Sequence, residues 1–158
     1  MSFYNRDAID ELVEGPITVE REREWLRDKR TAVRYAIASA KSVLSIFERE
    51  APGDKHPRIL IKAATRWLST GQDITSIVNS CEAFGDRVGS GEMGISAEAT
   101  LAAGAALSCG YAATSDITMY PFYAELSAAN ARCALGEASG GRVRQLRLLR
   151  NIAREEKL

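Results

Sequence analysis

Apolar residues recur at three- and four-residue steps along most of the chain, the spacing of one face of an α-helix. The clearest stripe is Leu26, Val33, Ala36, Ile37, Ala40, Val43, Leu44 and Phe47. It predicts a helix from about Thr18 to Glu50, or two helices meeting near Thr31. The second option arises because Glu20-Arg21-Glu22-Arg23-Glu24 and Arg27-Asp28-Lys29-Arg30 mix charges of both signs, as a solvated face does. After the turn Ala51-Pro52-Gly53-Asp54-Lys55-His56, Pro57 suits a first helical position, and Leu60, Ala63, Ala64, Trp67 and Leu68 form the next stripe up to Gly71. Asp73 or Thr75 caps a further predicted helix carrying Ile74, Ile77, Val78, Cys81, Phe84 and Val88, which Gly89-Ser90-Gly91 stops.

Ile95-Ser96-Ala97-Glu98 reads as a staple residue, an N-cap and a first-turn acid, opening a helix with Ala102, Ala106 and Gly110 on one face. Such small side chains let a neighbour approach closely, and they suit pairing across a two-fold axis if the protein self-associates. A helix from about Pro121 to Glu137 follows, with Phe122, Leu126, Ala129 and Cys133 expected inward. Gly140-Gly141 separates it from a last helix, Arg142 to Lys157. All four prolines fall between or at the start of these segments, and 24 residues are Ala. The pattern predicts an all-α fold, a compact bundle of about six or seven helices in one domain over residues 1–158. Residues 1–6 are expected to be a flexible start, and 142–157 a basic C-terminal helix.

Length changes the picture little, since 158 residues with 46% hydrophobic content suffice for one core. Charge changes it more. The chain has 21 Lys+Arg against 21 Asp+Glu, which argues against a strongly basic nucleic-acid binder. Yet residues 72–139 hold 2 basic and 8 acidic groups, and residues 140–158 hold 6 and 2. Glu82, Asp86, Glu92, Glu98 and Asp116 make the middle acidic, the kind of surface that inhibits a basic enzyme. Arg142, Arg144, Arg147, Arg150 and Arg154 give the last helix a basic side, while Val143, Leu146, Leu149 and Ile152 supply its packing side. Tyr111, Met119, Tyr120, Phe122 and Tyr123 are the densest group of large side chains; most are expected in the core, with Tyr120 the candidate anchor on a partner.

Chemistry is sparse. Met1 to Trp25 is charged throughout with no apolar core of a secretory signal, so a cytoplasmic chain is expected. Ala99 to Ser115 is too short and too weakly hydrophobic to span a membrane. The three cysteines, Cys81, Cys109 and Cys133, have neither disulfide nor zinc spacing and are expected to be buried thiols. Gly89-Ser90-Gly91-Glu92-Met93-Gly94 matches G-x-G-x-x-G literally, but it follows a helix and places Glu92 where a phosphate would sit. A helix-helix connection is the expected reading. His56, the single histidine, sits in a polar turn before Pro57, and Glu48, Glu50 and Asp54 beside Lys55 and Arg58 look like a salt-linked turn. No catalytic residue, metal ligand or cofactor site is assigned.

Val43-Leu44-Ser45-Ile46-Phe47-Glu48 with Asp54-Lys55-His56-Pro57-Arg58 and Ala64-Thr65-Arg66-Trp67-Leu68-Ser69-Thr70-Gly71 resembles a bacterial helical family, the Imm-5-like immunity proteins of polymorphic toxin systems. That family shows V-L-x-x-F-E, then D-x-R-P-R, then an A-x-x-W-x-x-G helix. Here His56 stands where Arg is usual, and the downstream His-bearing segments become Asn79-Ser80-Cys81-Glu82-Ala83 and Cys109-Gly110-Tyr111-Ala112. Asp54, Pro57, Arg58 and Trp67 carry the motif and read as fold-maintaining. The resemblance implies a non-catalytic protein that neutralises a toxin by direct binding. Its expected partner surfaces comprise Glu82, Asp86, Glu92, Asp116 and Tyr120, or Arg142, Arg144, Arg147 and Arg150. The alternatives are an anti-defence inhibitor of anti-CRISPR type acting on a nuclease complex, an enzyme using Asp54 or Arg58 on a small molecule or nucleotide, and a self-associating structural protein. Membrane association and direct nucleic-acid binding are not expected.

Overall fold

The computed structural model describes residues 16–136 and 139–158, so the expected flexible start at residues 1–6 lies outside the described residues. Among them are eight helices and no strand: α1 Val19–Leu26, α2 Lys29–Glu50, α3 His56–Thr70, α4 Thr75–Ser80, α5 Glu82–Ser90, α6 Ala97–Thr114, α7 Tyr120–Ala134 and α8 Ser139–Glu155. The fold is all-α as expected. The count exceeds seven because the helix predicted across residues 73–88 breaks at Cys81, giving α4 and α5.

Side-chain capping sets several boundaries. Asp28 ends the run after α1 and caps α2, accepting from Thr31 N at 3.0 Å and Thr31 Oγ1 at 2.7 Å. This places the break slightly before Thr31. Pro57 occupies the first turn of α3, and Gly71 closes it with a left-handed φ of 70°. Ser96 caps α6 by accepting from Ala99 N at 3.1 Å, while its own N–H donates to Glu50 Oε1 at 2.8 Å, tying the start of α6 to the end of α2. The glycine-rich segment is a connection between helices from Gly91 onward, while Gly89 and Ser90 form the last residues of α5. Gly140 and Gly141 do not separate helices, because α8 begins at Ser139 and includes both.

Helix α6 is the centre of the bundle, packed against α7, α2 and α3. Only small side chains permit that crowding: Ala102, Ala103, Ala105, Ala106 and Gly110 are all buried. A Cβ at Gly110 would lie 2.8 Å from Leu60 Cδ2 of α3. The Ala102/Ala106/Gly110 face is therefore covered within the monomer, which corrects its expected availability for two-fold pairing. No described helix is long and apolar enough to cross a membrane.

Two helical phases differ from expectation. On α7 the inward residues are Tyr120, Ala124, Ser127, Ala128, Ala131 and Ala134, while Phe122 and Cys133 are exposed and Leu126 and Ala129 only half-buried. The reason is again crowding. Ser127 Oγ lies 2.9 Å from Ala105 O and 3.1 Å from Ala36 O, so its hydroxyl donates across the junction of three helices where no large residue fits. On α8, Leu149, Ile152 and Ala153 are buried as a packing side, but Val143 faces solvent and Arg150 is buried.

Candidate functional site

The exposed surface with the strongest recognition character is built by α5, the C-terminal half of α6 and the start of α7. Glu82 and Asp86 lie one turn apart on α5, and both are exposed. Between them Gly85 lacks a side chain, and a Cβ there would stand 3.8 Å from Tyr111 Oη of α6. The Tyr111 ring sits 5.3 Å from that of Tyr123 on α7, and Tyr123 lies 5.4 Å from Phe122. Acidic groups thus grade into a ladder of three aromatic rings, ending in Phe122 at 52% exposure. The connection before α7 adds Ile117 and Met119, both exposed.

The electrostatics agree with that proximity. Burial pushes the Tyr111 phenol up, and neighbouring Tyr123, Glu82 and Asp86 push it the same way, so it stays a neutral hydrogen-bond donor beside two carboxylates. Arg87 follows Asp86 but turns toward Asp54 Oδ2, 3.8 Å away. Asp116 is exposed in the connection before α7. It accepts from Thr118 N at 3.0 Å and from Thr118 Oγ1; these hydrogen bonds, helped by Lys29, hold its carboxyl below the usual range. Glu92 is exposed in the α5–α6 connection.

Several expected contact residues are placed otherwise. Tyr120 is 7% exposed, and its hydroxyl donates to Arg27 O, so it is a core residue and not a partner anchor. Proline at the next position starts the helix with Tyr120 turned inward and Phe122 outward. Arg150 is 3% exposed and likewise unavailable. It follows Leu146 by four residues and precedes Ala153 by three, which puts it on the packing stripe. Arg142 joins the buried Glu22 at 2.5 Å; burial works against its charge, but the Glu22 carboxylate outweighs this and holds the guanidinium charged. Arg147 is half-buried, and Arg144 is exposed on α8. The basic helix is therefore committed in part to its own fold.

The motif turn is a compact polar assembly. Arg58 pairs with Glu48 across the α2–α3 turn at 2.6 Å. His56 donates its N–H to Asp54 Oδ1 at 3.0 Å, places Nδ1 2.5 Å from the same oxygen, and stacks on Phe84 with centroids 4.8 Å apart. Burial works against the Asp54 charge, but the His56 hydrogen bonds prevail and keep its carboxyl low. Pro57 is buried, while Trp67 is half-buried under the Lys29 ammonium, 4.7 Å from the ring centroid. Cys81 and Cys109 are buried, and burial lifts the Cys109 thiol to about 12, but Cys133 is exposed, contrary to the expectation for all three. No group of His, Cys, Asp and Glu among the described residues is arranged to hold a metal ion.

Comparison with known proteins gives one family. A family model described as "Imm-5 like putative immunity protein" matches residues 25–131, from the end of α1 to the last turns of α7, and so covers the motif turn and the acidic aromatic surface. No curated protein and no solved structure matches.

Proposed function

Because the chain belongs to this Imm-5-like immunity protein family, matched over 107 of its 158 residues, we propose that it is a non-catalytic inhibitor that neutralises a protein toxin by covering it. The observation that carries this reading is the surface of Glu82, Asp86, Tyr111, Tyr123 and Phe122. Aromatic anchors supply most of the energy at protein interfaces, and flanking charge of one sign steers the encounter and selects the partner. A negative rim around aromatic rings suits a target whose functional cleft is basic, as in enzymes that act on nucleic acid or other phosphate-bearing substrates. The motif turn supports the platform: Asp54, His56 and Phe84 link the α2–α3 turn to α5, which bears the acidic pair.

The test is to purify the tagged protein from its native host, or from cells carrying neighbouring candidate toxin genes, and titrate any co-purifying enzyme with it. The proposal expects one partner near stoichiometry, partner activity abolished at a molar ratio near one, and an association that weakens as salt rises. A partner whose activity is unchanged when saturated would overturn inhibition. Turnover of a small molecule that is abolished by Asp54→Ala or Arg58→Ala, with the fold intact, would replace it with an enzyme.

A further inference from the structure

Helix α3 differs from the other described helices in its charge: it alone carries basic residues and no acidic one. Lys55 at its N-cap, then Ile59, Lys62 and Arg66, follow one another at four- and three-residue steps, which sets them on a single stripe about 16 Å long. All four are exposed, Ile59 by 42%. Elsewhere the fold pairs several of its arginines: Arg30 and Arg34 meet Glu156, Arg58 meets Glu48 and Arg87 meets Asp54. Among the described residues no carboxylate pairs with Lys55, Lys62 or Arg66, and Lys55 Nζ donates only to the Pro52 carbonyl, at 3.2 Å. Beside Ile59 the motif turn leaves an open depression of about 310 Å³ lined by Gly53, Asp54, Lys55 and His56. The acids of that turn do not cancel the stripe, because Asp54 is held by His56 and Arg87, and Glu48 by Arg58.

We propose that the exposed face of α3 is a second interaction surface, which receives an acidic protein segment bearing an apolar side chain. The carboxylates of the segment meet Lys55, Lys62 and Arg66, and its apolar side chain rests on Ile59 in the depression. The spacing suits this: Lys62 and Arg66 stand one turn, about 6 Å, apart along the helix, close to the roughly 7 Å between alternate side chains on one face of an extended segment. Ile59 decides among anionic partners. A nucleic-acid backbone gains nothing from an apolar contact in the middle of the stripe, and a lipid surface takes up a broad apolar helix face, where α3 exposes one large apolar side chain. This inference does not rest on the inhibitor reading, since none of these residues belongs to the acidic aromatic surface.

Fluorescence anisotropy of a labelled peptide of glutamates around one central leucine, titrated with the full chain at low salt, tests it. Saturable binding is expected, and it should loosen as salt rises. The double variant Lys62→Glu/Arg66→Glu should bind at least about tenfold more weakly, and Ile59→Ser severalfold more weakly, each with Tm near the wild-type value because the substituted side chains are in solvent. Phe122→Ala should bind the peptide as the wild type does, and the same peptide with glutamine in place of glutamate should not bind. Absence of saturable binding, equal binding of the glutamine peptide, or a double variant that binds as the wild type does would each overturn the proposal. Tighter binding of a DNA duplex or of phosphatidylglycerol vesicles would overturn it in favour of nucleic acid or membrane, and self-association abolished by the double variant would overturn it in favour of a second copy of the chain.

Discussion

Tyr120 and Phe122 stand two residues apart and have opposite tasks, a difference that single substitutions separate. Tyr120→Phe removes the hydrogen bond to Arg27 O and should cost about 1 kcal/mol of stability, read as a Tm lower by roughly 2–4 °C, with target binding unchanged. Phe122→Ala should leave Tm within about 1 °C, because the ring is largely in solvent, yet weaken target binding by about 30-fold if it is the anchor. Glu125 provides a different readout. Burial, then the charge and hydrogen bonding of neighbouring Glu22, push its carboxyl above the usual range. Glu22 Oε1 is buried with no donor of its own, so the assembly favours a proton on Glu125. A raised carboxyl favours the folded state while protonated and loses that advantage as pH rises through its folded value. Glu125→Gln, neutral at every pH, should therefore melt above the wild type at pH 7–8 and converge with it near pH 4, as thermal scans across pH would show.

At the scale of elements, boundaries were far more legible in the sequence than faces. Pro57, Gly71 and Ser96 stand where the expected helix starts and stops lie, because capping is local chemistry that nearby residues satisfy. Faces are decided by neighbours. Helix α7 offers large residues on one side and alanines on another, and apolar size alone points Phe122 inward. What turns it outward is α6, whose buried Ala105 and Ala106 allow only small residues opposite. Helix α8 was ambiguous for another reason: arginine and leucine both recur at helical spacing, and only the packed bundle shows that Arg150 lies inside. The acidic half of the candidate surface was legible as a charge imbalance; the aromatic half was visible only as a cluster, with Tyr120 in the wrong role. The close α3–α6 approach is testable by itself. Gly110→Val should destabilise by about 1–3 kcal/mol, since even its first carbon meets Leu60 Cδ2 at 2.8 Å, whereas Gly53→Ala, with nothing within 4 Å, should be nearly neutral.

For the whole molecule, zero net charge conceals a division of labour. The basic C-terminal helix spends charge on holding the bundle together: Arg142 reaches Glu22 of α1, and Glu155 and Glu156 at and just beyond its end are joined by Arg34 of α2. The acidic middle leaves Glu82 and Asp86 in solvent beside the half-buried ring of Tyr111, with the exposed Phe122 at the far end of the aromatic ladder. Among the described residues, the side of the molecule opposite the braced helix thus presents acidic groups to solvent, the feature on which the proposed recognition of a partner rests. The decisive measurement is the dissociation constant of the co-purified target for wild type and for the double variant Glu82→Arg/Asp86→Arg at low and physiological salt, with Tm recorded for both. The account predicts equal Tm, a variant weaker by at least about tenfold at low salt, and a smaller gap at higher salt as screening shortens the reach of the charges. Identical affinities at both salts, with both proteins folded, would contradict it and place the target on another face.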